Sequence, residues 1–173
     1  MSFTPPTAGA LGQAFNELAY DFEVHPITVV LRATDPQQAT IAASSTMYDP
    51  NTYMDSFVAG LDPTFTDAGL AQGAFWTGTP QATGYLRLRH DQGVLDLELT
   101  NLTVHATTDS DCNQAFVTLD AIIPVTEKSK QLVYSGGTTT VGDLGGGDPN
   151  NPLPLRALFL TEAISLDWAS LDP

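Results

Sequence analysis

The stretch GYLRLRHDQGVLDLE, residues 84–98, decides the fold of this chain. Leucines alternate with polar residues on both sides of the turn-like segment 90–93, which is typical of an antiparallel hairpin. Closing the hairpin there stacks leucines on one face and places an arginine opposite an aspartate on the other, in water. The predicted opposite pairs are Arg89–Val94, Leu88–Leu95, Arg87–Asp96, Leu86–Leu97 and Tyr85–Glu98.

Similar strand patterns, separated by turn residues, occur along the rest of the chain. Many short strands without intervening long helices favour an antiparallel fold with two packed sheets. We therefore expect residues 1–173 to form one mainly β domain, a two-sheet β-sandwich of jelly-roll or Greek-key type. The predicted strands are Glu23–Ala33, Ala39–Met47, Leu70–Thr77, Gly84–Arg89, Val94–His105, Ala115–Val125, Gln131–Ser135 and Leu155–Trp168.

One or two short helices are expected beside these strands. Between Leu11 and Phe22, apolar residues recur at spacings of four, three and four, which is one face of a helix. Between Asp49 and Gly60, a capping residue, a proline in the first turn and a closing glycine predict a second helix. Residues 1–9 are expected to be flexible, and the glycine- and asparagine-rich segment 136–154 is expected to be a long surface loop.

The charge of the chain restricts its partners. Its 173 residues include 20 acidic and 6 basic ones, a formal net charge of −14. Such a chain repels nucleic acid and anionic membrane surfaces, which require clustered lysine and arginine. The acidic balance instead suits a basic protein partner or a divalent cation.

Cysteine content and the first residues bear on the cellular compartment. A single cysteine, Cys112, excludes an intrachain disulfide framework. Met1 to Gly12 has neither the basic region nor the continuous apolar region of a secretory signal. We expect an extracytoplasmic or cell-surface location if a signal segment was removed, and a cytoplasmic one otherwise. Apolar runs such as Ile27 to Leu31 are too short to cross a membrane.

Calcium is the one cofactor that the sequence suggests. Asp109, Asp111, Asn113 and Asp120 occupy the first, third, fifth and twelfth positions of a calcium-loop pattern. The pattern is incomplete, because Gln114 stands where the loop requires glycine. We therefore favour an Asx-rich turn over a filled site. The alternative is a looser calcium site between loops, formed by Asp109 and Asp111 with Asp143 or Asp148.

Three other residues are candidates for ligand binding. Arg87 and Arg89 lie on the polar face of the predicted hairpin, where they could bind a sugar or a carboxylate. The simpler interpretation is a solvated face with a cross-strand ion pair, worth at most about 1 kcal/mol. Glu162 interrupts an otherwise apolar face of the last strand, and a bulge near Ala163 would turn it to solvent. The other residues of this predicted core face are Leu158, Leu160, Ile164, Leu166 and Trp168. Without a bulge, Glu162 requires an arginine or a metal ion as partner.

The chain contains no catalytic signature of the common hydrolase or nucleotide-binding types. The favoured function is accordingly a non-catalytic surface or extracytoplasmic module that binds a protein or a glycan. A structural assembly protein, such as a virion or particle component, is the first alternative. A β-barrel-type hydrolase or isomerase is the second. Oligomeric state does not follow from the sequence.

Overall fold

The computed structural model describes residues 2–18, 27–35, 38–57, 64–71, 75–78, 81–90, 93–108 and 114–162. These residues form twelve strands, two short α-helices and one 3-10 turn at Val125–Glu127. The helices are α1 (Gly9–Leu18) and α2 (Val141–Gly145). The strands are β1 (Ser2–Phe3), β2 (Ile27–Asp35), β3 (Gln38–Asp49), β4 (Met54–Phe57), β5 (Thr66–Ala71), β6 (Phe75–Gly78), β7 (Gln81–His90), β8 (Gly93–Thr108), β9 (Gln114–Ile123), β10 (Gln131–Tyr134), β11 (Gly137–Thr140) and β12 (Leu153–Glu162).

The expectation of a mainly β, antiparallel fold with one or two short helices is confirmed, whereas a two-sheet sandwich is not. Ten described strands join into one curled sheet, in the order β1-β12-β9-β8-β6-β5-β3-β2, with β4 on β3 and β7 on β8. The remaining two strands, β10 and β11, form a separate hairpin. Both helices contact this part of the fold, and α1 also contacts β1 and β7. A layer of helices and a small hairpin therefore covers the main sheet, in place of a second large sheet.

The hairpin of β7 and β8 has the predicted register. Arg87 lies opposite Asp96, and all five predicted pairs occur. Leu86 and Leu97 are fully buried, because alternation directs both side chains to the inner face of the sheet. The guanidinium of Arg87 donates two hydrogen bonds to the Asp96 carboxylate, at 2.5 and 2.6 Å.

Side-chain hydrogen bonds connect β3 to the side of β7 that faces away from β8. The backbone N–H of Arg87 donates to the hydroxyl of Ser45 at 2.8 Å, and the Ser44 hydroxyl donates to the carbonyl of Tyr85 at 3.4 Å. Ser44 and Ser45 are both buried. Hydroxyl groups therefore satisfy backbone groups of β7 at a place where no strand ladder forms, as buried polar groups require.

The inner face of the sheet carries the main core. Side chains of α1, α2 and β10 pack against leucines and valines of the central strands, and Phe3 meets Phe15 edge to face with ring centroids 5.2 Å apart. The fully buried large side chains are Leu11, Phe15, Ile41, Leu86, Leu88, Leu97, Leu99, Leu102, Leu119, Ile123, Leu132 and Leu155.

The first predicted helix is confirmed as far as Leu18, and residues 19–22 lie outside the described residues. The second predicted helix is wrong. Residues 50–53 form a turn in which Tyr53 has a φ of 58°, and β4 then pairs with the end of β3. Phe57 is buried whereas Tyr53 is 74% exposed, so the two do not share a helical face.

Two other segments differ from the sequence prediction. The single strand predicted over Leu70–Thr77 is two strands, β5 and β6, which pair with each other. The predicted loop 136–154 contains β11 and α2, and β12 begins within it. Helix α2 forms because Thr140 caps it: the Thr140 hydroxyl accepts from the N–H of Asp143 at 3.1 Å and donates to the Asp143 carboxylate at 2.7 Å.

Gly145 permits close packing at the end of α2. A methyl group at this position would overlap the buried side chain of Leu153. We expect Gly145→Ala to lower the free energy of unfolding by about 1–3 kcal/mol, measured by urea denaturation. Gly9→Ala in α1 is the matched control, since nothing lies within 4 Å of the added methyl group. Equal stability of the two variants would contradict this packing argument.

Candidate functional site

The outer face of β8, β9 and β12 is the candidate site. The side chains that alternate away from the core on these strands form three rows across the sheet, set by the register of the two ladders. We call this surface the outer face. Its rows are Thr107–Phe116–Leu160, His105–Thr118–Leu158 and Thr103–Asp120–Arg156.

The first row contains two exposed apolar side chains beside Thr107. Phe116 lies directly opposite Leu160, and their residues are 52% and 65% exposed. Directly opposite side chains of an antiparallel pair lie close enough to contact each other. By contrast, the neighbouring residues Val117 and Phe159, which also lie opposite each other, are buried. Two large apolar side chains thus form one exposed patch on a well-anchored sheet.

The third row is a closed ion pair. The guanidinium of Arg156 donates to the Asp120 carboxylate at 2.6 and 3.2 Å. The pKa of Arg156 is raised, first by these hydrogen bonds and then by the charge of Asp120. Because the pKa of an arginine is already high, Arg156 stays positively charged throughout the neutral range. It loses its proton, and with it the ion pair, only in strongly alkaline solution. The pair therefore adds no net charge to the outer face at neutral pH.

Asp120 is thus occupied by Arg156, which bears on the predicted calcium loop. Asp109, Asp111 and Asn113 lie outside the described residues. Within the ranges that are described, no three histidine, cysteine, aspartate or glutamate side chains converge as metal ligands. Of the calcium candidates that the structure places, Asp120 has a guanidinium as its neighbour.

The two additional calcium candidates also have local partners. The Asp143 carboxylate accepts from the hydroxyl of Thr140, the N-cap of α2, at 2.7 Å, and the Asp148 carboxylate accepts the N–H of Asn150 at 2.8 Å. Beneath this loop, the buried ammonium of Lys128 donates to the carbonyls of Asp148 and Asn151, at 2.9 and 3.0 Å. A cation of the protein itself therefore holds this loop through two backbone carbonyl oxygens.

A cleft of about 300 Å³ adjoins this loop. It lies between the N-terminal segment and the start of β12, and Asp148 is the one charged residue among those lining it. Its other lining residues are Pro6, Ala8, Gly145, Gly146, Gly147, Asn151, Pro152, Leu153 and Pro154. Few polar groups converge in it, which is unlike the usual small-molecule site.

The structure does not bring the predicted ligand-binding residues together. Arg87 pairs with Asp96 near the start of β8, and the pKa of Arg87 is raised, first by its hydrogen bonds to Asp96, against the effect of burial. The backbone of Glu162 lies opposite Gln114, at the other end of the sheet. The backbone of Arg89 pairs with Val94; the side chains of Arg89 and Glu162 are outside the described part.

The core face of β12 differs from the sequence interpretation. Leu158, Leu160 and Glu162 were expected to line the core, with Glu162 as an interruption. The buried series is instead Leu153, Leu155, Ala157 and Phe159. The side chain of Glu162 and the whole of Ala163, at which a bulge was expected, lie outside the described part of the structure, so the bulge stays a prediction.

Sequence reasoning did not identify the exposed pair Phe116 and Leu160, although the residues of β9 and β12 alternate between two faces. Both faces of β12 contain leucines, so hydrophobicity alone assigns neither face to the core. The described helices include none that is long and apolar enough to span a membrane. No protein-family model matches the chain, and no curated protein or solved structure matches it.

Proposed function

We propose that this chain is a non-catalytic binding module that docks a protein partner through its outer face. The carrying observation is the exposed pair Phe116 and Leu160, which lie directly opposite each other on β9 and β12. Clustered exposed apolar side chains on a sheet are a characteristic of interaction sites. Aromatic residues are also enriched where protein partners bind.

The two exposed side chains are held on a rigid part of the sheet, which favours a binding role for them. Ten consecutive residue pairs join β12 to β9, and the side chains behind the patch are buried. A rigid surface loses little conformational entropy on binding, so the apolar contact contributes more fully to affinity. The polar side chains beside the patch, Thr107 and Thr118, form the hydrogen-bonding rim that interfaces usually have.

A structural assembly role uses the same surface with a second copy as the partner. The open edge of a sheet favours such edge-to-edge contacts. The net charge of −14 on each copy opposes them. Light scattering after size exclusion separates the two proposals. A defined oligomer that dissociates in the Leu160→Ser variant would favour assembly, and a monomer would favour a different protein as the partner.

We expect the outer face to select peptide ligands. A phage-displayed library of twelve-residue peptides is selected on the wild-type chain and then tested on a Phe116→Ser/Leu160→Ser variant. The enriched peptides should lose at least ~10-fold in affinity on that variant, because it removes the apolar anchors of the interface.

The matched control replaces two exposed apolar residues elsewhere, Met47→Ser/Val94→Ser, both at 46% exposure. This control should retain affinity. Both double variants should unfold within ~1 kcal/mol of the wild type, since the replaced side chains are exposed. A library that yields no binder, or binders that ignore the outer-face substitutions, would contradict the proposed function.

A further inference from the structure

The edge of β12 is open next to the exposed patch. Both backbone groups of Arg156 point toward the N-terminal segment: its carbonyl accepts from the N–H of Thr4 at 3.1 Å, and its N–H donates to the Thr7 hydroxyl at 2.8 Å. Ser2 then lies opposite Leu158. Because backbone groups alternate in direction along a strand, those of Leu160 point to this same side.

Strand β1 stops before it reaches Leu160. Its two residues pair with Ala157 and Leu158, and among the described residues no strand lies beside Leu160 on that side. The edge therefore presents an N–H and a carbonyl in line with an existing strand. Directly above them is the exposed Leu160 side chain, opposite Phe116.

The charge of the described surface indicates which partner fits. Four basic side chains are described, and each already has partners within the chain. Lys130, for example, binds the Glu127 carboxylate at 2.6 Å and the Asp96 carbonyl at 2.5 Å. With these cations engaged and a net charge of −14, the chain attracts cationic segments and repels acidic ones, including a second copy of itself.

We infer that the protein partner of the outer face, whose existence rests on the proposed function, binds by strand addition. A cationic extended segment continues β1 along β12, with one apolar residue opposite Leu160. Backbone hydrogen bonds to Leu160 supply register, and the apolar residue covers Leu160 and Phe116. The side chain opposite Leu160 lies on the outer face, because opposite residues of an antiparallel pair share a face.

The test uses a fluorescein-labelled, C-terminally amidated peptide of five residues, two lysines, two threonines and a final valine, so that the valine lies opposite Leu160 and the peptide ends before β1 begins. Fluorescence anisotropy at low salt measures its affinity for the full chain. Methylating the amide nitrogen of the valine removes the bond to Leu160 and should weaken binding at least ~10-fold. Methylating the amide of the preceding threonine, which points away from the edge, is the matched control and should change affinity less than ~3-fold.

Two further measurements identify the source of the affinity. Replacing both lysines of the peptide with glutamates should weaken binding at least ~10-fold, and added salt should weaken the original peptide. Amide hydrogen exchange of Leu160, followed by NMR, should slow when the peptide binds.

The two proposals fail in different ways. If both methylated peptides bind like the original while Phe116→Ser/Leu160→Ser weakens all three, the outer face is a binding site but strand addition is overturned. If the peptide does not bind, or if the chain pairs with a second copy through Leu160, a cationic strand as partner is overturned. The library selection tests the proposed function independently.

Discussion

Phe15→Ala is expected to lower the free energy of unfolding by about 3–5 kcal/mol. Phe15 is fully buried between α1 and the sheet, so truncation removes apolar burial and leaves a cavity. Its ring also contacts Phe3 edge to face, which joins the N-terminal segment to α1. The loss should therefore loosen β1 as well as the helix.

Urea denaturation followed by circular dichroism measures this effect. Phe116→Ala is the matched control, because it removes the same side chain from a 52% exposed position and should cost at most about 1 kcal/mol. A double-mutant cycle of Phe3 and Phe15 should give a coupling of about 0.5–1.5 kcal/mol. A cost for Phe15→Ala no greater than that for Phe116→Ala would show that α1 does not anchor the core.

Glu127→Ala is expected to have the second largest effect, about 2–4 kcal/mol. The Glu127 side chain is only 9% exposed, and its carboxylate accepts the backbone N–H of Glu98 at 2.7 Å and the ammonium of Lys130 at 2.6 Å. Alanine would leave this N–H without its acceptor. Partial exposure of Lys130 keeps the cost below that of a fully buried ion pair.

Glu127→Gln separates the two contributions. Its amide oxygen can still accept from Glu98, so it should cost clearly less than alanine, and added salt should affect it less than the wild type. Glu17→Ala is the control, since the Glu17 carboxylate also accepts from a backbone N–H, that of Ser135, but at an exposed position. A Glu127→Ala variant as stable as Glu17→Ala would contradict the role of the buried carboxylate.

Local patterns in the sequence were sufficient for several elements. The β7–β8 hairpin was predicted pair by pair, because alternation and a short turn together fix its register. Helix α1 was predicted as far as Leu18 from its apolar spacing. The ion pair of Arg87 and Asp96 followed from the same register.

Other elements depend on contacts distant in the sequence. Residues 54–57 have a helix-like pattern, yet they form β4 because the end of β3 offers a strand to pair with. Asp120 fitted a calcium pattern, but Arg156, 36 residues away, supplies its counter-charge. Neither outcome is encoded in the local spacing of the residues.

The sequence by itself determined an acidic, antiparallel, mainly β chain, because charge and two-residue alternation are properties of the residues and their neighbours. Only the tertiary structure decided which face of β12 packs into the core, since both series of its side chains contain leucines. Burial requires a covering layer, and α1, α2 and the β10–β11 hairpin lie over one face of the sheet alone. Phe116 and Leu160 are exposed for that reason.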